Sequence, residues 1–100
     1  MIRKEILAKA LDTYGLKLQV DICIEEMSEL TKALLKYRRV KPGQGNLQDA
    51  HDSIIEEIAD VQITIDQMKM AFGETAGMEE YKLHRLEERM KEAEEPSCNT

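Results

Sequence analysis

Apolar residues along this chain recur at intervals of three and four, the repeat of one face of an α-helix, and no stretch of useful length alternates as a strand would. Ile2, Ile6 and Ala10 run up one side of a first helix, with Leu7, Leu11 and Tyr14 beside them. This predicts a helix over residues 1–14 that stops at Gly15, a residue able to take the left-handed conformation at a helix end. A second, longer helix is expected from about Leu18 to Val40, a third from about Leu47 to Phe72 and a fourth from about Met78 to Glu94. The last carries Leu83, Leu86, Met90 and Ala93 as its apolar stripe. Pro42-Gly43-Gln44-Gly45-Asn46 is the clearest break, with Asn46 or Asp49 as a cap for the third helix; Gly73 and Gly77 bracket the next turn, with Thr75 as a cap. None of these loops is long enough to link domains. The expectation is one all-α domain over residues 1–95, built as a four-helix bundle with antiparallel neighbours, and a frayed polar tail over 96–100.

The two central helices carry nearly the same phrase twice. Ile24-Glu25-Glu26-Met27-Ser28-Glu29-Leu30 matches Ile55-Glu56-Glu57-Ile58-Ala59-Asp60-Val61, thirty-one positions later, by identity or chemical kind at every position. The match extends to Cys23 with Ile54 and to Leu34 with Ile65. On helices, Cys23, Met27, Leu30 and Leu34 form one apolar stripe, and Ile54, Ile58, Val61 and Ile65 form its counterpart. Just beside each stripe lies a pair of acids three residues apart, Glu26 with Glu29 and Glu57 with Asp60. Such neighbours sit roughly 5–6 Å apart at Cβ. If the stripes pack together, both pairs can reach one shared edge, where four carboxylates would repel unless a cation sat among them.

Composition sharpens this picture. The chain has 100 residues, 34% of them charged, a net charge of −6, no Trp and one Phe, Phe72. A phosphate backbone is held by clusters of Lys and Arg, so the acidic balance argues against nucleic acid and suits a cation, or an anionic ligand that arrives with one. No apolar run approaches the eighteen or so residues of a membrane span, and the charged start, Arg3-Lys4-Glu5, does not read as a signal peptide. Cys23 on an apolar stripe and Cys98 in the polar tail look unpaired, which suggests a reduced, cytoplasmic setting.

A donor set of carboxylates, without sulfur or imidazole, points to a hard cation, Mg²⁺ or Mn²⁺. Acids three apart on a helix are often merely solvated; two such pairs in matched register, each flanking a core stripe, favour a ligand role. A di-iron bundle needs Glu three residues before His, but Gln48 precedes His51 and Tyr81 precedes His84 at that spacing. No EF-hand loop, P-loop or Ser-His-Asp set is present.

The pattern Glu25-Glu26-x-x-Glu29, followed after a gap by Glu57-x-x-Asp60, resembles the signature of the MazG-like all-α nucleoside triphosphate pyrophosphohydrolases, relatives of dimeric dUTPases and dCTP pyrophosphatases. The resemblance covers residues from about 18 to 90. It implies a Mg²⁺-dependent hydrolase that cleaves between the α and β phosphates, releasing a nucleoside monophosphate and pyrophosphate. It also implies Glu26, Glu29, Glu57 and Asp60 as metal ligands, Glu25 and Glu56 as outer-shell or water-orienting groups, and a homodimer or homotetramer with sites near subunit contacts. Lys82, Arg85 and Arg89 share one side of the fourth helix. Lys82 and Arg85 are expected to reach the substrate's phosphates, with Arg89 a weaker candidate; the alternative is surface pairing with Glu79, Glu88 or Glu92. Lys32 reads as solvated, Arg38 and Arg39 as residues that could join a lid, and Tyr37 as a residue for stacking on a base or packing at a contact. The rival function is a non-catalytic helical oligomerisation or nucleotide-sensing module on the same scaffold.

Overall fold

The computed structural model describes residues 1–43 and 45–94. Pro96, Cys98 and the expected tail lie outside the described residues. Four helices follow one another: α1 (Arg3–Tyr14), α2 (Leu16–Arg39), α3 (Leu47–Phe72) and α4 (Ala76–Glu94). There is no strand among the described residues.

Each boundary has a local cause. Gly15 ends α1 with its N–H on the Leu11 carbonyl at 2.8 Å, and its φ of 87° and ψ of 154° lie where side chains are not tolerated. Because that single residue makes the whole reversal, α2 begins at Leu16, two residues earlier than the periodicity suggests. Asn46 caps α3 by accepting the Asp49 N–H on Oδ1 at 3.0 Å. Ahead of α4, the Thr75 carbonyl accepts the Glu79 N–H at 2.8 Å, and the Thr75 hydroxyl donates to the Glu79 carboxylate.

α2 and α3 make the principal packing pair, and α1 lies against both. Leu7, Cys23 and Ala50 are its buried apolar residues, one from each of the three helices. Arg3 fastens α1 to α3 through a 2.6 Å ion pair with Asp66. Tyr37 packs on His51 across the α2–α3 pair with ring centroids 5.5 Å apart.

The bundle differs from expectation most at its last helix: Gly77, expected to bracket the preceding turn, lies inside α4, and α4 packs against none of α1, α2 or α3. The α2 and α3 stripes, expected to pack on each other, are also partly open. Met27 is 43% exposed and Ile58 49%, and on α4 itself Leu83, Leu86 and Met90 are exposed too. An amphipathic stripe requires a cover, but it does not require that the cover come from the same chain.

Candidate metal centre

The duplicated acidic turns do meet. Glu26 comes from α2, and Glu57 and Asp60 come from α3 one turn apart; one carboxylate oxygen from each lies within 4.8 Å of the others. All three are half-buried. Their convergence comes from the acids' own place in the packing. Glu26 lies one turn after buried Cys23, and Glu57 and Asp60 lie between buried Ala50 and Thr64, on the faces that α2 and α3 turn towards each other. The stripe residues Met27, Leu34 and Ile58, expected to face the partner helix, are exposed.

The electrostatics are those of crowded like charges partly withdrawn from water. Glu57 Oε2 is sealed from solvent and has no hydrogen-bond partner. Its carboxyl is pushed above the ordinary range, first by desolvation and then by the charges of Asp60, Glu29 and Glu56. Glu26 is raised in the same way, by desolvation first and then by Asp60, Glu57, Glu25 and Glu29. An unpaired buried carboxylate oxygen is costly unless a donor or a cation meets it. The all-oxygen donor set and the orphaned Glu57 oxygen therefore fit a hard cation.

Glu29 stands at the edge of this group. It is close enough to raise both Glu26 and Glu57, but it lies outside the 4.8 Å trio and pairs instead with Lys32 at 3.3 Å. Lys32 is exposed, as its place on the outer side of α2 suggests, and it is a partner for Glu29 rather than a free solvated charge. Glu25 and Glu56 are exposed beside the trio. Arg39 donates to the Leu35 carbonyl at 3.3 Å, and Arg38 is exposed. A second acidic group with a histidine, His84, Glu87 and Glu88, lies wholly exposed on α4 and has the character of a solvated surface.

Lys82, Arg85 and Arg89 gather around a small hollow of about 170 Å³ on α4. Glu88 is taken by Lys91 at 3.3 Å, and among the described residues none of the three basic side chains forms an ion pair; Arg85 lies over the Tyr81 ring at 5.8 Å. They are thus grouped as the helical repeat indicates, on a helix that does not pack against the one bearing the carboxylates in the same chain.

One feature is not among the residues singled out by the motif. A cavity of about 270 Å³ opens between α1, α2 and α3, and Glu26 and Asp60 form part of its lining. Its buried side is polar: Gln19, Thr64 and Gln67 are each at most 4% exposed. The sequence does hold the signal. Gln19 lies one turn before Cys23 on the α2 stripe, and Thr64 and Gln67 lie one and two turns beyond Asp60, at places where an apolar residue would complete the core. No family model, curated protein or solved structure matches this chain.

Proposed function

We propose that this chain is a Mg²⁺-dependent nucleoside triphosphate pyrophosphohydrolase of the MazG-like kind, acting in the cytoplasm to remove unwanted nucleotides. The observation that carries the reading is the meeting of Glu26, Glu57 and Asp60 around an unpaired, water-excluded carboxylate oxygen. Those three residues would hold the cation, with Glu29 joining them by leaving Lys32, an exposed ion pair of the sort worth about 0–1 kcal/mol. A bound divalent ion supplies neutralisation of charge on the phosphoryl oxygens and a more acidic water.

The chain's own groups then do the rest. Glu25 and Glu56 orient a water towards the α phosphorus and take up its proton. The new oxygen–phosphorus bond forms as the bond from the α phosphorus to the α–β bridging oxygen breaks. Pyrophosphate leaves with the electron pair of that bond. Lys82 and Arg85 hold the departing phosphates. On this reading the chain is a homodimer or homotetramer, and the basic stripe of α4 serves the carboxylates of a second copy, since α4 packs on none of the other three helices of its own chain.

The open apolar surface favours a second reading, a helical association module without catalysis. Pyrophosphate release from a panel of ribo- and deoxyribonucleoside triphosphates, with Mg²⁺ and with chelator, separates the two. The enzyme reading expects metal-dependent pyrophosphate and monophosphate in equal amounts. Nucleotide binding by folded, metal-loaded protein with no turnover on any member of the panel would leave the association module.

A further inference from the structure

The polar-lined cavity beside the carboxylates has room for an occupant and groups to hold one. Burying amides and a hydroxyl where three helices pack costs stability unless they are hydrogen-bonded. Thr64 is satisfied locally, donating to the Val61 carbonyl at 2.8 Å. Gln67 is held only at the outer limit of a hydrogen bond, its Nε2 to the Leu7 carbonyl at 3.5 Å. No side-chain hydrogen bond engages Gln19 or the Gln67 amide oxygen among the described residues. Two nearly unengaged primary amides, each 4% exposed or less, thus line one cavity from two helices.

The other walls fit a flat ring. Ile22 and Ile63 supply apolar surface, and Tyr14 lines the cavity while remaining 60% exposed, so its ring is available for stacking. At about 270 Å³ the cavity is smaller than the roughly 300–1,000 Å³ clefts that enclose whole drug-sized ligands. It therefore takes one end of a ligand. The ligand's other end then lies beside Glu26 and Asp60, which the cavity shares with the carboxylate trio.

We propose that this cavity is the base-recognition pocket: a nucleobase enters between α1, α2 and α3, its hydrogen-bonding edge is read by Gln19 and Gln67, and its sugar and phosphates remain at the carboxylates. A primary amide offers both a donor and an acceptor, the combination that a base edge also presents. The apolar walls and Tyr14 accept the faces of the ring. Base preference then resides in the two glutamines, and the carboxylates are indifferent to it. The inference rests on the nucleotide reading above.

Two measurements test it, arranged so that the two ideas fail separately. The first is titration of the wild-type chain with free nucleosides, which have no phosphate to draw them to a metal, read at the side-chain amide resonances of Gln19 and Gln67. Saturable shifts of both amides by at least one nucleoside, and none with ribose or deoxyribose alone, are expected. Shifts at neither amide with any nucleoside would overturn the pocket even if triphosphates are hydrolysed. Shifts without any hydrolysis would keep the pocket and discard the enzyme. The second uses Gln19→Met and Gln67→Met, which keep the volume and remove the polar edge, each checked for native melting. Either is expected to raise KM for the best base about tenfold, the loss of one hydrogen bond, and to bring kcat/KM for different bases closer together. Base preference unchanged in both variants would overturn the assignment of these residues.

Discussion

Glu57 has a conflict built into it. One of its oxygens is sealed from water without a partner, and its neighbours within reach are other carboxylates. If the trio holds a cation, such a residue weakens the metal-free fold and strengthens the metal-bound one, so a single substitution separates the two effects. Glu57→Gln removes a charge from the cluster and is expected to raise the melting temperature of the metal-free chain. The same change should weaken Mn²⁺ binding by at least about tenfold, the lower end of what even indirect supports of a metal cost when removed. Melting curves with and without metal, alongside Mn²⁺ titration by electron paramagnetic resonance, read both. A variant that melts lower without metal, or binds Mn²⁺ as well as wild type, would mean that the carboxylate is stabilised by something other than a cation. Asp66 is the opposite case. Hydrogen bonds from Arg3 first and Gln62 second hold its carboxyl below the ordinary value. Near that value the unfolded chain binds more protons than the native one. The stabilisation is thus present above the unfolded pKa of about 3.9 and is lost as pH falls through the lower folded one. Urea melts across that acid range should show a shallower loss of stability for Asp66→Asn than for wild type. Parallel curves would show that the ion pair with Arg3 contributes nothing to the loss of stability in acid.

At the scale of the helices, one residue sets the relation of α1 to the rest. Gly15 ends α1 and begins α2 within a single step, at a φ and ψ open only to glycine. Added atoms would meet nothing within 4 Å, so any cost of a side chain there is backbone strain and not a clash. Gly15→Ala is expected to cost about 1–3 kcal/mol in a urea melt and to loosen α1, and with it the cavity that α1 helps to enclose. An undiminished midpoint would mean that the α1–α2 junction relaxes to an ordinary turn. The helices were legible because their signals are local: Gly15, Asn46 and Gly73 punctuate the chain, and three-four spacing fills the intervals. That acids from the two turns would meet was legible too, but not by the expected route: Met27, Leu34 and Ile58 stay open, and Glu26, Glu57 and Asp60 themselves lie where α2 packs on α3. Glu29 shows the limit of that argument. Register places it beside Glu26, but a Lys32 ammonium one turn on competes for it, and side-chain reach decides the outcome. The position of α4 was beyond a pattern argument: its stripe of Leu83, Leu86 and Met90 asks for burial without naming the surface that provides it. Gln19, Thr64 and Gln67 escaped notice for a different reason, since a search for apolar stripes passes over the polar residues that interrupt them.

For the whole molecule, the surface area is the decisive quantity. A monomeric globular protein of 11.5 kDa exposes about 5,800 Å² by the usual scaling, whereas this chain exposes 8136 Å². Its radius of gyration is 18.7 Å, against about 13 Å for a compact chain of the same length. The excess is on the order of 2,000 Å² per chain, within the range of obligate interfaces, and it includes the apolar stripes of α2, α3 and α4. If a second copy covers those stripes, α4 with Lys82, Arg85 and Arg89 is the element free to lie across the partner's carboxylates. This arrangement has a kinetic signature that no single variant can imitate. On the proposed hydrolase reading, Glu57→Gln should be inactive for want of a metal ligand, and Lys82→Ala/Arg85→Ala should be impaired for want of phosphate contacts. In a mixed dimer with α4 working in trans, one site collects all the lesions and the other collects none. Equal mixing with exchange of subunits should then restore about a quarter of wild-type activity, because half the dimers are mixed and each has one intact site. With α4 serving its own chain, every site in the mixture keeps one lesion and no activity returns. Mixing the two variants under conditions that exchange subunits, followed by pyrophosphate release and sedimentation of the same samples, distinguishes the two. Recovery of activity without a dimer in the sedimentation profile would count against this arrangement as firmly as no recovery at all.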